Sequence, residues 1–470
     1  MDVKNELQPL VGERVALYEN AHSKEMACHT SPVSELRDVR NLLWGSCIKE
    51  DVFRRWAQGF QFSKYEPTAL VQNEGGPCAV IAPVQAFILK SILSKQLGNN
   101  WRDADTESCN RHLVQAVCDI LGQVNAYTKG KIFIATMNEN PSNKPSECSD
   151  GSQSPVVVDS IENPIKPEAL DCENFHARLK LISFASMGDV RTFYTQRISI
   201  LRDKYGVLHL LYSVLCTKGL QQIRSEMNEP EESLIDETYG HASQSLINLM
   251  LTGRAVSYVW NHDRDIDGLR LRGVDQQAEV GFLTLLEHFR YCEVGSFLKN
   301  PKNPVWLLAS ETHLTVLFSP DKRLASAETP TQVACRVFKS FDPEGNNFIA
   351  APLLQDVLRT LDLVSDKEYV DIMVKKLDPE SLGIILLSAF LDEFFPEEKL
   401  STPDTFALLH YNGLPQSCPG GQVVYREGSA VLLETDVLSV LSSDAMLTCL
   451  QTKWPSIEVQ WLSGGPPSLN

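Results

Sequence analysis

A turn-rich run from Gln72 to Ile81 constrains this chain more than any other stretch, because it places a cysteine in front of an apolar segment. Two glycines and a proline come directly before Cys78, and the apolar residues behind it recur at helical spacing. The sequence therefore predicts a tight turn followed by a helix, with Cys78 at the N-terminal end of that helix.

A cysteine in this position is a candidate nucleophile. The positive end of a helix dipole favours thiolate over thiol, and free backbone N–H groups there can bind a developing oxyanion. Gln72, six residues upstream, carries a side-chain amide suited to donating a second hydrogen bond to that oxyanion. Taken alone, the stretch favours a buried or inert cysteine over a catalytic one, because that is the commoner role of this residue.

Pro83 complicates the predicted helix, since proline removes a backbone hydrogen bond from a helix interior. Two explanations are open at this point. Either the first turn is irregular, or the regular helix begins near Pro83, where proline is tolerated. The helix is expected to end near residues 97–100, which read Leu-Gly-Asn-Asn.

His313 is the candidate acid and base. It opens a predicted strand at 313–318, directly after another predicted strand at 304–310, and a strand end is a place that a loop-borne nucleophile can reach. An imidazole suits proton transfer near neutral pH. Cysteine hydrolases need such a base close in space and distant in sequence, so the pairing with Cys78 favours catalysis over a structural strand histidine.

Composition narrows the class of protein. No segment approaches the roughly 20 apolar residues that span a bilayer, and the first residues do not form a signal peptide, so nuclear and/or cytoplasmic residence is expected. The 12 cysteines form no C-x-x-C pair, which argues against a zinc site, and we expect no metal and no cofactor. The net charge of −17 disfavours binding to nucleic acid or to an anionic membrane.

Patterns along the 470 residues predict two or three domains. Residues 1–33 are interpreted as a mobile N-terminal extension. Residues 34–329 form the first part of a catalytic domain, interrupted at 137–168 by an insertion whose Asn, Pro and Ser content predicts flexibility. Strand patterns at 399–463 are expected to complete the sheet to which His313 belongs, and residues 464–470 are predicted to be a disordered tail.

Three further segments carry predictions. Residues 281–291 are predicted to be helical, and residues 240–253 to be a polar entry followed by a helix that glycine closes. The polar entry can either line a cleft or form a capped surface turn. His209 lies in a strongly apolar helix and is interpreted as a core histidine, not a catalytic one.

Residues 330–398 have the character of a separate helical insert with the spacing of paired EF-hands. Its two loops begin at Asp342 and Asp378. Calcium ligands are missing, because Leu353 and Ala389 occupy the twelfth loop positions, where a bidentate glutamate is expected. We therefore interpret the insert as a structural or protein-interaction module, and a calcium sensor as the weaker alternative.

Several ordered motifs resemble the MINDY family of deubiquitinating cysteine proteases and, within that family, the branch of its third member. The motifs are residues 56–60, 74–87, 240–253, 310–316, 411–414 and 451–455, together with the EF-hand-like insert. The similarity extends over roughly residues 35–470 and leaves out the N-terminal extension and the insertion at 137–168.

This resemblance implies an α+β, papain-like cysteine protease fold with an inserted α-helical EF-hand-like module. It implies that Cys78 is the nucleophile, His313 the proton acceptor and Gln72 the oxyanion donor. The implied substrate is polyubiquitin, with preference for the proteasome-targeting linkage. Asn412 and Glu311 are both open as the residue that orients His313.

The alternative function is that of a catalytically inactive ubiquitin-binding or scaffold protein. Its interaction surface would be the EF-hand-like insert, which is the expected site of any protein partner. The presence of Cys78, His313 and Gln72 together favours the enzyme, because an inactive relative would often have lost one of them.

Overall fold

Apolar periodicity and turn residues divide the chain into many short elements, which this computed structural model describes for residues 32–94, 101–137, 157–160, 171–325, 329–342, 346–396, 403–433, 444–462 and 464–470. The α-helices of these residues are α1 (Pro32–Trp44), α2 (Glu50–Trp56), α3 (Cys78–Ser94), α4 (Thr106–Thr128), α5 (Asp171–Arg178), α6 (Met187–Gln196), α7 (Ser199–Arg202), α8 (Gly206–Lys218), α9 (Leu220–Glu226), α10 (Gln244–Thr252), α11 (Leu285–His288), α12 (Ser296–Lys299), α13 (Pro330–Ser340), α14 (Leu354–Thr360), α15 (Lys367–Leu377), α16 (Leu387–Phe394) and α17 (Ala445–Gln451). None of these helices is both long enough and apolar enough to cross a bilayer.

The strands of the described residues are distributed over one large sheet and several small ones. They are β1 (Gln61–Phe62), β2 (Leu70–Val71), β3 (Ile132–Met137), β4 (Val157–Ser160), β5 (Leu179–Phe184), β6 (Arg264–Ile266), β7 (Leu269–Leu271), β8 (Gly281–Thr284), β9 (Val305–Ala309), β10 (Leu314–Phe318), β11 (Phe348–Ala350), β12 (Ile384–Leu386), β13 (Thr405–Tyr411), β14 (Arg426–Leu432) and β15 (Ile457–Trp461).

The largest sheet has six strands in the order β15-β14-β13-β10-β9-β8. All neighbours are antiparallel except β8 and β9, which run parallel. Because β10 and β13 are antiparallel, with Val316 opposite Tyr411, the beginning of β10 lies beside the end of β13. This register brings His313, which precedes β10, next to Asn412, which follows β13.

Alternating side chains of this sheet face two different cores. Leu314, Val316 and Phe318 of β10 pack into the main core with α3 and α4, as the predicted alternation requires. Leu317 faces the opposite way and packs into a second core, which α17 covers. The sheet is therefore buried on both faces around the strands that position the site.

Helix α3 is buried on all sides, with every residue but Lys90 and Ser94 inside the core. It begins at Cys78, as predicted, and continues through Pro83, so the alternative start near Pro83 is wrong. The Pro77 carbonyl oxygen accepts from the N–H groups of both Val80 and Ile81, each at 2.9 Å, which gives the irregular first turn of the other explanation. The predicted end at 97–100 lies outside the described residues.

Other predictions need correction. Residues 281–284 form strand β8, which pairs with β9, and only 285–288 are helical. Within the insertion predicted to be flexible, Val157–Ser160 forms β4 beside β5, because its Val-Val pair extends a sheet that already exists. The rest of that insertion from 138, and residues 1–31 of the N-terminal extension, lie outside the described residues.

The segment 464–470 contradicts the prediction of a disordered tail. Leu469 is only 4% exposed and packs in the second core, and the Gly465 carbonyl oxygen accepts a hydrogen bond from Arg426 Nη2 at 2.9 Å. One apolar side chain and main-chain hydrogen bonds are enough to hold a segment whose composition alone predicts disorder.

The described part of the insert, residues 330–396, forms two helix–loop–helix units with a core of their own. The loops pair through β11 and β12, where Ile349 lies opposite Ile385. At the sixth position of each loop the backbone is left-handed, at Asn347 with φ of 60° and at Gly383 with φ of 80°. Asparagine is one of the few residues other than glycine that adopt this left-handed conformation.

The first carboxylate of each loop accepts hydrogen bonds from the backbone of the same loop. Asp342 and Asp378 each accept hydrogen bonds from the backbone N–H groups four and five residues further on. The donor-to-acceptor distances are 3.1 Å from Asn346, 2.7 Å from Asn347, 2.8 Å from Leu382 and 2.7 Å from Gly383. Each carboxylate thus holds the turn of its own loop, with one hydrogen bond to each of its two oxygens.

We expect calorimetric titration of the full chain with up to about 1 mM calcium to give no saturable heat in the range of sensor EF-hands, ~10⁻⁷–10⁻⁵ M. The physical reason is that both twelfth-position carboxylate ligands are absent, with Leu353 and Ala389 in their place. A variant with Leu353→Glu and Ala389→Glu supplies the missing carboxylates and is the matched comparison. Micromolar binding by the unaltered chain would contradict the prediction.

Candidate active site

Cys78 and His313 line the same cavity, of about 330 Å³. The remaining walls come from the start of α10, from the segment before β6, and from the ends of β8 and β9. The lining residues there are His241, Ala242, Gln244, Ile247, Ser257, Tyr258, Val259, Trp260, Phe282, Thr284, Leu286, Ala309 and Ser310. The rings of Tyr258 and Trp260 stack at 4.1 Å, so the cavity has a flat aromatic wall.

The turn that presents Cys78 is held by side chains from α2 and the residues after it. The Glu74 carbonyl oxygen accepts hydrogen bonds from Gln58 Nε2 at 3.2 Å and from Gln72 Nε2 at 3.0 Å. The Gly75 carbonyl oxygen accepts one from Arg55 Nη1 at 3.3 Å. Together these bonds fix the peptide planes that lead into α3.

Gly76 is required by the same turn. Its φ is +129°, and a Cβ at this position would lie 3.0 Å from Trp56 Nε1, which itself donates to the Gly240 carbonyl oxygen. Sequence reasoning missed the supporting roles of Arg55, Trp56 and Gln58. The motif at 56–60 was the available signal, but a motif without contacts does not reveal what its side chains hold.

The surroundings of Cys78 favour the protonated thiol over the thiolate. The side chain is 7% exposed, and its Sγ donates to the Gly76 carbonyl oxygen at 3.7 Å. Burial raises the pKa of the thiol to about 11, although the backbone N–H groups of Leu314, Ala79 and Cys78 itself act in the opposite direction. The helix N-terminus that was expected to favour thiolate is therefore outweighed by desolvation.

His313 sits in a short turn that joins β9 to β10. The Ser310 N–H donates to the His313 carbonyl oxygen at 3.0 Å, and the His313 N–H donates to Ser310 Oγ at 3.1 Å. The imidazole is 6% exposed, and burial lowers its pKa, with the hydrogen bond to Asn412 opposing this shift. Among the described residues, no hydrogen bond joins the ring to Cys78, and the two pKa shifts each favour the neutral form, a thiol beside an imidazole.

Asn412, not Glu311, contacts the imidazole. His313 Nε2 lies 3.1 Å from Asn412 Oδ1, and both groups are buried. Glu311 is exposed at the rim of the cavity. Of the two residues left open by the sequence, the structure therefore places Asn412 where it can orient His313.

Gln72 is buried close to this group but does not line the cavity. Its side chain is 2% exposed and donates to the Glu74 carbonyl oxygen, while its N–H donates to the Gly413 carbonyl oxygen at 2.8 Å. It thus connects the turn before Cys78 to the loop that carries Asn412. In this conformation its amide is engaged by the turn and not by the cavity.

His410, two residues before Asn412, was not singled out from the sequence. It is fully buried, and neither ring nitrogen has a hydrogen-bond partner among the described residues. Burial, followed by the charges of His313 and Arg426, lowers its pKa to about 3. It therefore stays neutral at physiological pH and does not exchange protons with His313.

The two remaining predictions for this region are both resolved. Ser243 caps α10, accepting a hydrogen bond from the Leu246 N–H, while His241 and Gln244 line the cavity, so the polar entry is a cap and a cleft wall at once. His209 is a core histidine, as interpreted, with Nδ1 bonded to the Ile200 carbonyl oxygen at 3.0 Å. The described residues contain no group of three or more His, Cys, Asp or Glu side chains placed to hold a metal.

Comparison with known proteins gives consistent matches. A family model described as "Deubiquitinating enzyme MINDY-3/4, conserved domain" matches residues 40–335. The chain is 46% identical over 454 residues to the Homo sapiens ubiquitin carboxyl-terminal hydrolase MINDY-3, covering 93% of this chain and 100% of that protein. It is 46% identical over 476 residues to the Drosophila melanogaster MINDY-3 homolog, covering 95% and 85%.

A more distant relative is the probable ubiquitin carboxyl-terminal hydrolase MINDY-4 of Mus musculus, which is 30% identical over 342 residues. That match covers 68% of this chain and 41% of the relative. No solved structure matches the chain.

We expect iodoacetamide to alkylate Cys78 slowly near neutral pH, with a rate that rises about tenfold per pH unit toward a pKa near 11. The rate rises with pH because the thiolate is the reactive form. A raised pKa means that the thiolate forms in quantity only at higher pH. Mass spectrometry of the modified residue gives the rate, with the exposed Cys47 as the internal comparison. A rate at Cys78 that is already constant between about pH 6 and 8 would mean a thiolate–imidazolium pair at rest and would contradict the prediction.

Proposed function

This chain belongs to the MINDY-3/4 family of deubiquitinating enzymes and is a ubiquitin hydrolase, and from that premise we propose that Cys78 and His313 carry out its hydrolysis. The observation that carries the proposal is their meeting in one cavity, with Asn412 bonded to the far side of the imidazole. The segments that bring them together are a buried helix N-terminus and a strand end, which are rigid elements. A cysteine thiol and a histidine imidazole are together sufficient for acyl transfer by nucleophilic catalysis.

Attack begins at the isopeptide bond that follows the C-terminal glycine of ubiquitin. Cys78 Sγ forms a bond to the carbonyl carbon while its proton passes to His313 Nδ1. The carbonyl oxygen becomes an oxyanion, for which the Cys78 N–H and the amide of Gln72 are the proposed donors. For this role the Gln72 amide leaves the Glu74 carbonyl oxygen or shares its two N–H hydrogens between the two acceptors.

The tetrahedral intermediate then collapses with cleavage of the carbon–nitrogen bond. His313 Nδ1 returns its proton to the departing lysine amine, which leaves ubiquitin as a thioester on Cys78. Water, deprotonated by His313, attacks the thioester carbonyl, and the Cys78 thiol is regenerated as ubiquitin is released. Asn412 stays bonded to Nε2 throughout and keeps Nδ1 directed toward the reacting atoms.

Substrate binding has an additional task in this scheme. The resting thiol donates to the Gly76 carbonyl oxygen, and its pKa of about 11 leaves little thiolate at neutral pH. The bound ubiquitin tail fills the cavity and brings the thiol and imidazole into hydrogen-bond reach, so that proton transfer accompanies attack. The neutral pair is thus an inactive resting state and not the reacting one.

The substrate class proposed is polyubiquitin, with preference for the proteasome-targeting linkage. The preference rests on the motifs shared with the family. The overall architecture proposed is papain-like, since a buried helix carries the nucleophile at its N-terminus and packs on the sheet that carries the base and its orienting amide.

For the insert we propose an EF-hand-like module that binds a protein partner without calcium. Two helix–loop–helix units joined by paired loop strands support this assignment. Leu353 and Ala389 at the twelfth loop positions argue against a calcium-controlled switch. Apolar side chains remain exposed on its surface, among them Ile372 at 60% and Leu382 at 67%.

The decisive test is time-resolved cleavage of homotypic ubiquitin tetramers of every linkage by the full chain. We expect shortening of the proteasome-targeting linkage, and a loss of more than about 10³-fold in kcat with Cys78→Ala or His313→Ala, because each removes a reacting group. The matched controls are Cys47→Ala and His288→Ala, which alter exposed residues of the same two types. If the unaltered chain binds tetramers but cleaves none, and a ubiquitin C-terminal electrophile leaves Cys78 unlabelled, the scaffold function replaces this proposal.

A separate measurement tests Gln72. We expect Gln72→Ala to lower kcat about 10²-fold because the oxyanion loses a donor, while iodoacetamide alkylation of Cys78, which forms no oxyanion, changes less than about twofold. Equal losses in kcat and in alkylation would show that Gln72 only holds the turn through Glu74. An unchanged kcat would remove Gln72 from the mechanism.

A further inference from the structure

The amide of Asn412 makes four hydrogen bonds. Its Oδ1 accepts from the Leu414 N–H at 3.0 Å and lies 3.1 Å from His313 Nε2. Its Nδ2 donates to the main-chain oxygens of Ser468 and Asn470, each at 3.2 Å. A backbone N–H can only donate and a main-chain oxygen can only accept, so these partners distinguish the two ends of the amide and forbid it to flip.

The fixed amide determines the tautomer of His313. Because Oδ1 can only accept, the hydrogen between it and the ring must reside on Nε2. In a neutral imidazole the other nitrogen, Nδ1, is then the unprotonated one. Nδ1 is therefore ready to receive a proton, and a flipped amide would instead present N–H hydrogens to Nε2 and place the ring hydrogen on Nδ1.

The segment that contains Ser468 and Asn470 also contacts the turn that carries His313. Ser310 Oγ donates to Asn470 Oδ1 at 2.5 Å, and this serine accepts the His313 N–H. Ser468 Oγ closes the segment on itself, accepting from the Asn470 N–H at 3.1 Å. Residues 468–470, which we call the clasp, thus bridge the beginning of β10 and the end of β13.

The clasp is anchored independently of the cavity. Leu469 is 4% exposed in the second core, which lies on the sheet face opposite α3. Its neighbours Ser468 and Asn470 are exposed and direct their main-chain oxygens to Asn412. An apolar anchor between two polar contacts holds the acceptors in place without filling the cavity that Cys78 lines.

We propose that the clasp is a positioning element for the hydrolysis, which sets the orientation of Asn412 and through it the reactive tautomer of His313. This inference rests on the proposed role of His313 as the acid and base. None of the clasp residues lines the cavity that receives substrate, and the contact of the clasp with the cavity wall is the hydrogen bond between Asn470 and Ser310. The clasp therefore acts on kcat and leaves substrate affinity unchanged.

The other groups around the imidazole do not determine its tautomer. His410 on β13 is buried and neutral, Glu311 is exposed at the rim, and the Cys78 thiol is protonated at rest. Arg426 on β14 binds the Gly465 carbonyl oxygen and affects His410 by its charge. The hydrogen bond with Asn412 is the one polar contact of the imidazole ring given by the described residues.

The experiment compares deletion of residues 468–470 with Asn412→Ala in ubiquitin-tetramer cleavage. We expect each to lower kcat about 10- to 100-fold with KM changed less than about twofold, since two hydrogen bonds to the orienting amide are lost in the first case and the amide itself in the second. Combining them is expected to lower kcat no further, because both act through the same amide. Pro466→Ala, at an exposed position just before the clasp, is the matched control and is expected to retain full kcat.

A spectroscopic readout separates positioning from general damage. In ¹⁵N-histidine-labelled protein, with the signal assigned by its loss in His313→Gln, we expect hydrogen on Nε2 in the unaltered chain and on Nδ1 in a large fraction of the deleted one. This readout does not need ubiquitin cleavage, so it decides the inference even if the proposed function fails. An unchanged tautomer, an unchanged kcat, or losses that multiply in the combined variant would each overturn it.

Asn470→Ala protects the test against a deletion that does not fold. It keeps Leu469 and both main-chain acceptors, but it removes the contact with Ser310 Oγ that holds Asn470 against the turn before β10. We expect a smaller loss in kcat, about three- to tenfold, because the Asn470 main-chain oxygen is then held less firmly against the Asn412 amide. Unfolding by urea must show the same midpoint as the unaltered chain, and a full kcat in this folded variant together with an unchanged tautomer would overturn the inference.

Discussion

The packing of helix α3 against β9 and β10 is the constraint on which the site depends. A helix whose residues are nearly all apolar and buried can only be placed inside a core, and here its first residue, Cys78, also lines the cavity. Cys78 is therefore held at a fixed depth, directly below the turn that starts β10. The turns and strand ends around the start of the helix contribute most of the residues that line the cavity.

Antiparallel pairing in the large sheet positions the residues on the other side of the site. The register that sets Val316 opposite Tyr411 also sets the residue before β10 beside the residue after β13. His313 and Asn412 are 99 positions apart in the chain and meet because of that register. Between these strands the chain runs through the whole helical insert.

Sequence reasoning singled out the residues now proposed to react because their signals are local. A glycine-proline turn before a cysteine and a histidine at the start of an alternating strand can both be read without knowing the fold. The strand β8 was missed for the opposite reason: its apolar run continues into α11 without a break, so periodicity cannot tell strand from helix there. Its state is decided by pairing with β9, which is tertiary information.

The orienting residue could not be chosen from the sequence for a related reason. Glu311 and Asn412 are both polar residues near a strand end, and only the register shows that one faces the ring while the other faces solvent. The segment 464–470 was misjudged because its Gly, Pro and Ser content describes the chain's intrinsic preference alone. Leu469 finds a place in a core built by β13, β14 and α17, and no local pattern encodes that place.

Burial explains why such a site needs its surroundings to act. At a pKa of about 11, roughly one Cys78 side chain in 10⁴ is a thiolate at pH 7, so the resting protein carries a thiol of low reactivity. The same dry environment that suppresses the thiolate strengthens every hydrogen bond to an oxyanion or imidazolium once substrate excludes the remaining water. An enzyme built in this way gains its charge separation only in the complex. In the proposed mechanism its rate then depends on groups that are oriented beforehand. The imidazole of His313 is such a group, because it is bonded to Asn412, whose amide makes three further hydrogen bonds.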